Sequence, residues 1–104
     1  PALAEAHEAG AHVLVKEGLA NGRLAVDPPA PVADLARSLG VGPDAVSLAA
    51  VLAQPWADTV LSGAAGTHQL ASNLAGLEVG EIDLPDLAEP PARYWQHRSR
   101  LAWA

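Results

Sequence analysis

The apolar residues of this chain fall at two spacings, and the spacing changes several times from one end to the other. LAEAHEAG (3–10) predicts the end of a helix stopped by Gly10. AHVLVK (11–16) is a short run with β-branched residues and predicts a buried strand. The glycines of EGLANGRL (17–24) predict an irregular turn, and DPPAP (27–31) a rigid break. VADLARSL (32–39) sets Val32, Leu35, Ala36 and Leu39 at helical spacing and ends at Gly40. A second helix opens with Pro43 at its first position and Asp44 in its first turn, and continues through Ala53. It is apolar nearly all round, which predicts burial on more than one face. TVLS (59–62) predicts a second strand. Thr67 is then expected to cap a third main helix, with Leu70, Leu74 and Leu77 as its core stripe. Pro, Asp and Glu fill 81–91, and the amphipathic piece ARYWQHRSRLAW (92–103) closes the chain.

Strands alternating with helices indicate parallel β-α units. Both strands are short and apolar throughout, which predicts a sheet covered on both faces. Two parallel strands make neither a barrel nor a doubly wound sheet, and each would expose an unpaired edge. The pattern therefore reads as a piece of something larger.

Composition narrows this. The 104 residues suffice for one small domain. Half are hydrophobic, drawn mostly from Ala, Leu and Val, with no Phe, Met or Cys. The absence of Cys excludes a disulfide framework, a thiolate nucleophile and a cysteine-bound zinc. No apolar run approaches the roughly 18 residues of a membrane span. The start also lacks a basic region followed by an apolar core. A net charge of -6 opposes a nucleic-acid surface, because such a surface needs clustered Lys and Arg. Residues 33–53 imitate a helix-turn-helix, yet the second helix offers no Lys, Arg, Asn or Gln before Gln54. His7, His12, His68 and His97 are scattered without metal-ligand spacing. Ser62 lies outside any Gly-x-Ser-x-Gly elbow. Lys16-Glu17 ends the first strand, where α/β proteins place functional groups, although a lysine there can simply reach solvent. Trp95 and Trp103 are expected to be packing anchors.

One stretch stands apart. In LSGAAGTHQLASNL (61–74) an apolar run stops at Gly63, only Ala64 and Ala65 precede Gly66, and a helix follows. Such a loop leaves the backbone open to close approach. Gln69 and Asn73, spaced i and i+4, lie on one helix face beside it. The pattern suits a ligand docked against bare backbone and gripped by two amides. It also suits a tight turn with a polar helix edge.

The order of these segments resembles the carboxyl-terminal third of the aldo/keto reductase family. The segments are a strand, then EGLANGRL, then a helix pair with LGVGPDAVSLAAVLAQP, then TVLSGAAGTHQLASNL. The resemblance covers residues 1 to about 80, and the tail (81–104) is similar to that of one bacterial branch. Its most specific element is Gly-x-x-x-x-x-Gln-Leu-x-x-Asn-Leu, matched by Gly63, Gln69, Leu70, Asn73 and Leu74. It implies the fold class α/β, as a fragment of a TIM (β/α)8 barrel: the last two strands with their helices and tail. It implies a cytoplasmic, NAD(P)H-dependent carbonyl reductase or alcohol dehydrogenase. NADP(H) is the family's default cofactor and NAD(H) the alternative. By resemblance, Gly63, Ala64, Ala65, Gln69 and Asn73 hold the adenosine end of the cofactor. Gly18, Leu19, Asn21 and Gly22 lie along its pyrophosphate. The family's catalytic residues sit on earlier strands, so no residue here takes those roles. A partner is then required, the N-terminal part of the barrel in the same or another chain, and these 104 residues alone are expected to be inactive.

Two features depart from the family pattern. Lys16 stands where an aromatic residue often stacks on the nicotinamide. Ala64 and Ala65 stand where many members carry Arg or Lys for the 2′-phosphate. The competing expectation is a non-enzymatic chain that keeps a barrel end as an interaction or assembly module.

Overall fold

The computed structural model describes residues 1–102. Helix α1 (Ala2–Glu8) leads into β1 (Leu14–Val15), followed by the short α2 (Arg23–Val26), α3 (Ala30–Leu39) and α4 (Pro43–Leu52). Strand β2 (Thr59–Val60) precedes α5 (Thr67–Leu74), a single 3₁₀ turn (Ala75–Glu78) and the terminal α6 (Pro91–Ser99). The chain is thus a mixed α/β structure whose sheet is parallel, with Leu14 opposite Thr59 and Val15 opposite Val60. The β-α units expected from the sequence are present in that form. The segment 17–24 contains a helix as well as a turn, since α2 begins at Arg23.

Helix α4 is the centre. Asp44, Ala45, Val46, Ser47, Leu48 and Ala49 are all buried, as its all-round apolar pattern predicts. Elements α2, α3, β2, α5 and the 3₁₀ turn pack around it. Val46 joins Val32 and Ala36 of α3 in the core cluster, which Leu35, Val41, Ile82 and Leu84 border. Residues 82–84 of the acidic linker thus close the core from outside.

The sheet departs from expectation. Alternation puts Val13, Val15 and Val60 on one face and Leu14 and Leu61 on the other. Val13 is buried, while Leu14 is 61% and Leu61 50% exposed. One face is covered and the other is open among the described residues. Continuous apolarity marks a strand able to be covered twice, and here nothing among the described residues covers the second face. The β1 entry is tied down by Asp58, whose Oδ2 accepts from the Val13 N–H at 2.8 Å and faces His7 Nδ1 at 3.1 Å. Those two contacts, the backbone one foremost, hold its carboxyl below the usual range.

Three further expectations are corrected. Gly66, not Thr67, is the N-cap of α5, and no side chain caps that helix. Leu70, Leu74 and Leu77 are exposed rather than forming a core stripe. Asn73 and Gly76 are the buried positions of this stretch, so it turns its small and polar side toward α4. Trp95 anchors no core, being half exposed with Tyr94 edge-on to it at 5.2 Å. Trp103 lies outside the described residues. Among the described residues no single helix is long and apolar enough to cross a membrane, and α3 with α4 reaches that length only across a 102° bend.

Gly76 is where the 3₁₀ turn meets α4. A Cβ there would stand 2.9 Å from the carbonyl oxygen of Ala45, a backbone atom that cannot swing away. Gly76→Ala should therefore destabilise by about 1–3 kcal/mol through overpacking. Urea unfolding measures it, and wild-type stability in the variant would mean that α4 and the turn are less closely apposed.

Candidate functional site

The two loops that leave the carboxyl ends of β1 and β2 come together over the start of α4 and face α5. Between them lies a cleft of about 520 Å³, within the range of small-molecule and cofactor sites. Of the residues named from sequence, Gly18, Leu19, Gly22, Gly63, Ala64, Gln69 and Asn73 line it. Asn21 and Ala65 do not line it: Asn21 Nδ2 donates to the Tyr94 hydroxyl at 3.2 Å, and the Ala65 N–H donates to Gln69 Oε1 at 2.7 Å. Lys16, Glu17, Asp44, Ser62, His68 and Ser72 complete the polar lining.

The wall after β2 is shaped by backbone. Gly63 has φ +67°, a conformation that a side chain strains, and a Cβ built there meets nothing within 4 Å. The peptide is left bare toward the cleft. Helix α5 then starts at Thr67 without a side-chain cap. Its first N–H bonded within the chain across the helix start is Leu70, to the Gly66 carbonyl at 3.0 Å. The amides of Thr67, His68 and Gln69 have no carbonyl one turn back to bond, and with the helix dipole they favour an anion. Because Gln69 spends its oxygen on Ala65, its NH₂ is the end left to a ligand.

Beneath that wall runs a chain of hydrogen bonds. The Ala64 N–H donates to Ser62 Oγ at 3.3 Å, and Ser62 Oγ donates to Asn73 Oδ1 at 2.6 Å. Asn73 Nδ2 donates to Asp44 Oδ2 at 2.7 Å, and Ser72 Oγ donates to Asp44 Oδ1 at 2.9 Å. Asp44 and Asn73 are both buried. Asn73 therefore braces the loop through Ser62 while facing the cleft. The sequence singled out Asn73 but not its bracing role, and it offered Asp44 only as a favourable charge in a first helical turn. Only the long-range approach of α5 to the start of α4 shows Asp44 as the terminus of the chain.

A second network borders the opposite wall. Glu17 accepts from the Tyr94 hydroxyl through Oε2, and from Arg98 Nε at 2.9 Å through Oε1. Tyr94 donation, followed by the nearby Arg98 charge, lowers the Glu17 carboxyl below its ordinary value. Burial, then the bond to Glu17, pushes Tyr94 up to about 12. Arg23 reaches Glu89 at 2.6 Å, with its guanidinium 5.6 Å from the centre of the Tyr94 ring. Lys16 also lines the cleft, and it is exposed. Among the described residues no group of His, Cys, Asp or Glu is arranged to hold a metal ion.

The arrangement presents hydrogen-bond donors to the cleft, with Lys16 and His68 among its lining. Its two carboxylates, Glu17 and Asp44, are each occupied by internal donors, while bare amides, Gln69 and Lys16 face the space. That suits an elongated anion with polar groups along it. No family model matches the chain, and no curated protein matches it.

Asp44→Ala would orphan Ser72 and Asn73 together and release the loop braced through Ser62. A buried polar group left unsatisfied costs about 1–3 kcal/mol, so urea unfolding should show at least that loss. Unchanged stability would mean that the Asp44 chain is not the brace. The rim network titrates in a stated sense. A depressed Glu17 stabilises above the ordinary carboxylate range and loses that contribution as pH falls through its own lowered value. A raised Tyr94 stabilises below about 10 and loses its part only as pH rises through about 12. Amide protection of α6 should therefore stay level through neutral pH and fall in acid below about pH 4. Protection that instead changes between pH 6 and 8 would assign the link to histidine.

Proposed function

We propose that the chain is the cofactor-binding end of an aldo/keto reductase: the last two β-α units of a (β/α)8 barrel, holding the adenosine and pyrophosphate portions of a nicotinamide nucleotide. The observation that carries this reading is the cleft. Two segments far apart in sequence, singled out by their resemblance to that family, line one space at the carboxyl ends of two parallel strands. That is where a barrel of this type builds its site.

The residues fit the group. The Gly63–Ala64 backbone and the uncapped start of α5 suit a phosphate. The NH₂ of Gln69 suits an adenine or ribose acceptor, and the Arg98 guanidinium offsets the charge of Glu17. NADP(H) is the family's default, with NAD(H) the alternative. With Ala64 and Ala65 after the loop glycine, charge near the 2′-phosphate is left to His68, Lys16 or a residue from elsewhere in the barrel. The nicotinamide supplies hydride chemistry when bound. This chain's residues bind and orient, and the proton donor belongs to the earlier strands of the barrel.

The open sheet face supports the same reading. Leu14 and Leu61 face outward from the helices, and the strands have free edges, as two staves taken from a barrel would. In a whole barrel of about 250 residues, the rest comes either from the same reading frame or from a partner.

The test joins binding to turnover. The complete barrel, with the N-terminal part supplied, is titrated with NADPH and NADH by fluorescence and assayed for NADPH-dependent aldehyde reduction. Binding and turnover are expected from the complete barrel, with no turnover from residues 1–104 alone. General acid catalysis contributes about 10²–10⁴-fold, so the loss is plain in an assay. A complete protein that binds neither nucleotide overturns the reading and leaves the interaction module as the alternative.

A further inference from the structure

We infer that the terminal helix α6 is a positioning element of the cleft, a clasp that fixes the loop after β1 without itself touching the ligand. Glu17, Ala20 and Asn21 all sit at positive φ, at 58°, 50° and 59°. That is an uncommon conformation for residues other than glycine, and Glu and Ala lack the short polar side chain that eases it. A loop strained in this way persists only where its surroundings over-determine it. Gly18 packs against α4, and α6 supplies the polar part of those surroundings. Tyr94 and Arg98, one helical turn apart, grip the two oxygens of Glu17. Asn21 donates to the same Tyr94 hydroxyl, and Arg23 bonds Glu89 just before α6. The same loop supplies Gly18, Leu19 and Gly22 to the cleft wall.

No residue of α6 is buried, and its pairing with the loop is polar and aromatic rather than apolar. Such a contact adds little to the core and can be lost without unfolding it. Its consequence falls on the loop: released, residues 17–22 relax toward ordinary backbone conformations and the wall loses its shape. A bound nucleotide would then leave faster.

The proposal rests on the nucleotide reading of the cleft for its second readout only. Tyr94→Phe keeps the ring under Arg23 and removes the hydroxyl. Arg98→Met keeps the length and removes the charge, and Arg98→Lys restores charge without the fork. In the complete barrel, amide exchange at residues 18–24 should rise by roughly 10-fold in the Phe and Met variants, the size of one charge-assisted hydrogen bond. Exchange in α4 and the melting midpoint should stay as in wild type. NADPH dissociation, followed by stopped-flow fluorescence, should quicken by a similar factor, and Arg98→Lys should recover most of both effects. Unchanged exchange in the loop overturns the clasp. Raised exchange with unchanged NADPH dissociation also overturns it, since α6 would then hold a loop on which the ligand does not depend. If wild type binds no NADPH, the functional reading fails, and loop exchange alone decides whether α6 holds the wall.

Discussion

A helix with apolar or small side chains nearly all round lowers its free energy only when covered on every side, and α4 sets that requirement for this chain. Val46 and Ala45 lose all contact with solvent, and the neighbouring Leu48 and Ala49 nearly all of it. At about 25 cal/mol per Å² of apolar surface removed from water, that is the dominant favourable term. Everything around the helix is shaped by it. Helix α3 lays Val32 and Ala36 against it, the linker contributes Ile82 and Leu84, and the 3₁₀ turn approaches so closely that Gly76 has no room for a methyl group.

Burying α4 also buries its first turn, and that has a chemical cost. Asp44 is favourable there for the helix dipole, but a buried carboxylate needs donors. Ser72 and Asn73 supply them from α5, which fixes how α5 sits against α4. Asn73 passes the constraint through Ser62 to the amide of Ala64. The position of the bare loop is therefore set from the helix core rather than from the loop's own residues. On the other wall Glu17 plays the same part with Tyr94 and Arg98. An acidic chain can in this way line a cleft with carboxylates whose oxygens are all engaged by internal donors.

The sequence made the local features legible and hid the pairwise ones. The all-round apolarity of α4, the helix ends at Gly10 and Gly40, and two parallel strands could be read because propensity and periodicity act within one segment. The stripe Leu70, Leu74 and Leu77 shows why periodicity misleads: it identifies an apolar face, not what covers it, and these leucines are exposed. Thr67 carries a capping side chain, yet the N-cap falls one residue earlier, at a glycine in extended conformation. At the candidate site, Gly63 and Gln69 were visible as a bare loop beside an amide. Glu17 was visible only as part of a strand end and Asp44 only as a first-turn charge, because a single carboxylate announces nothing about donors that arrive from residues far along the chain.

The helices and the sheet are unequally finished. The helical side has a closed core and close approaches, with the buried Ser47 Oγ as a polar atom lacking a partner among the described residues, whereas the sheet has two residues in each strand and one open face. A ladder that short cannot position loops by itself. In this chain it does not have to. The loop after β2 is held by the Asp44 chain and the loop after β1 by α6, so both walls of the cleft hang from helices. Covering the open Leu14 and Leu61 face would add stability without having to create those walls. The cleft and the open sheet face meet at Leu61, which belongs to both, yet the walls of the cleft are held by contacts on the helical side.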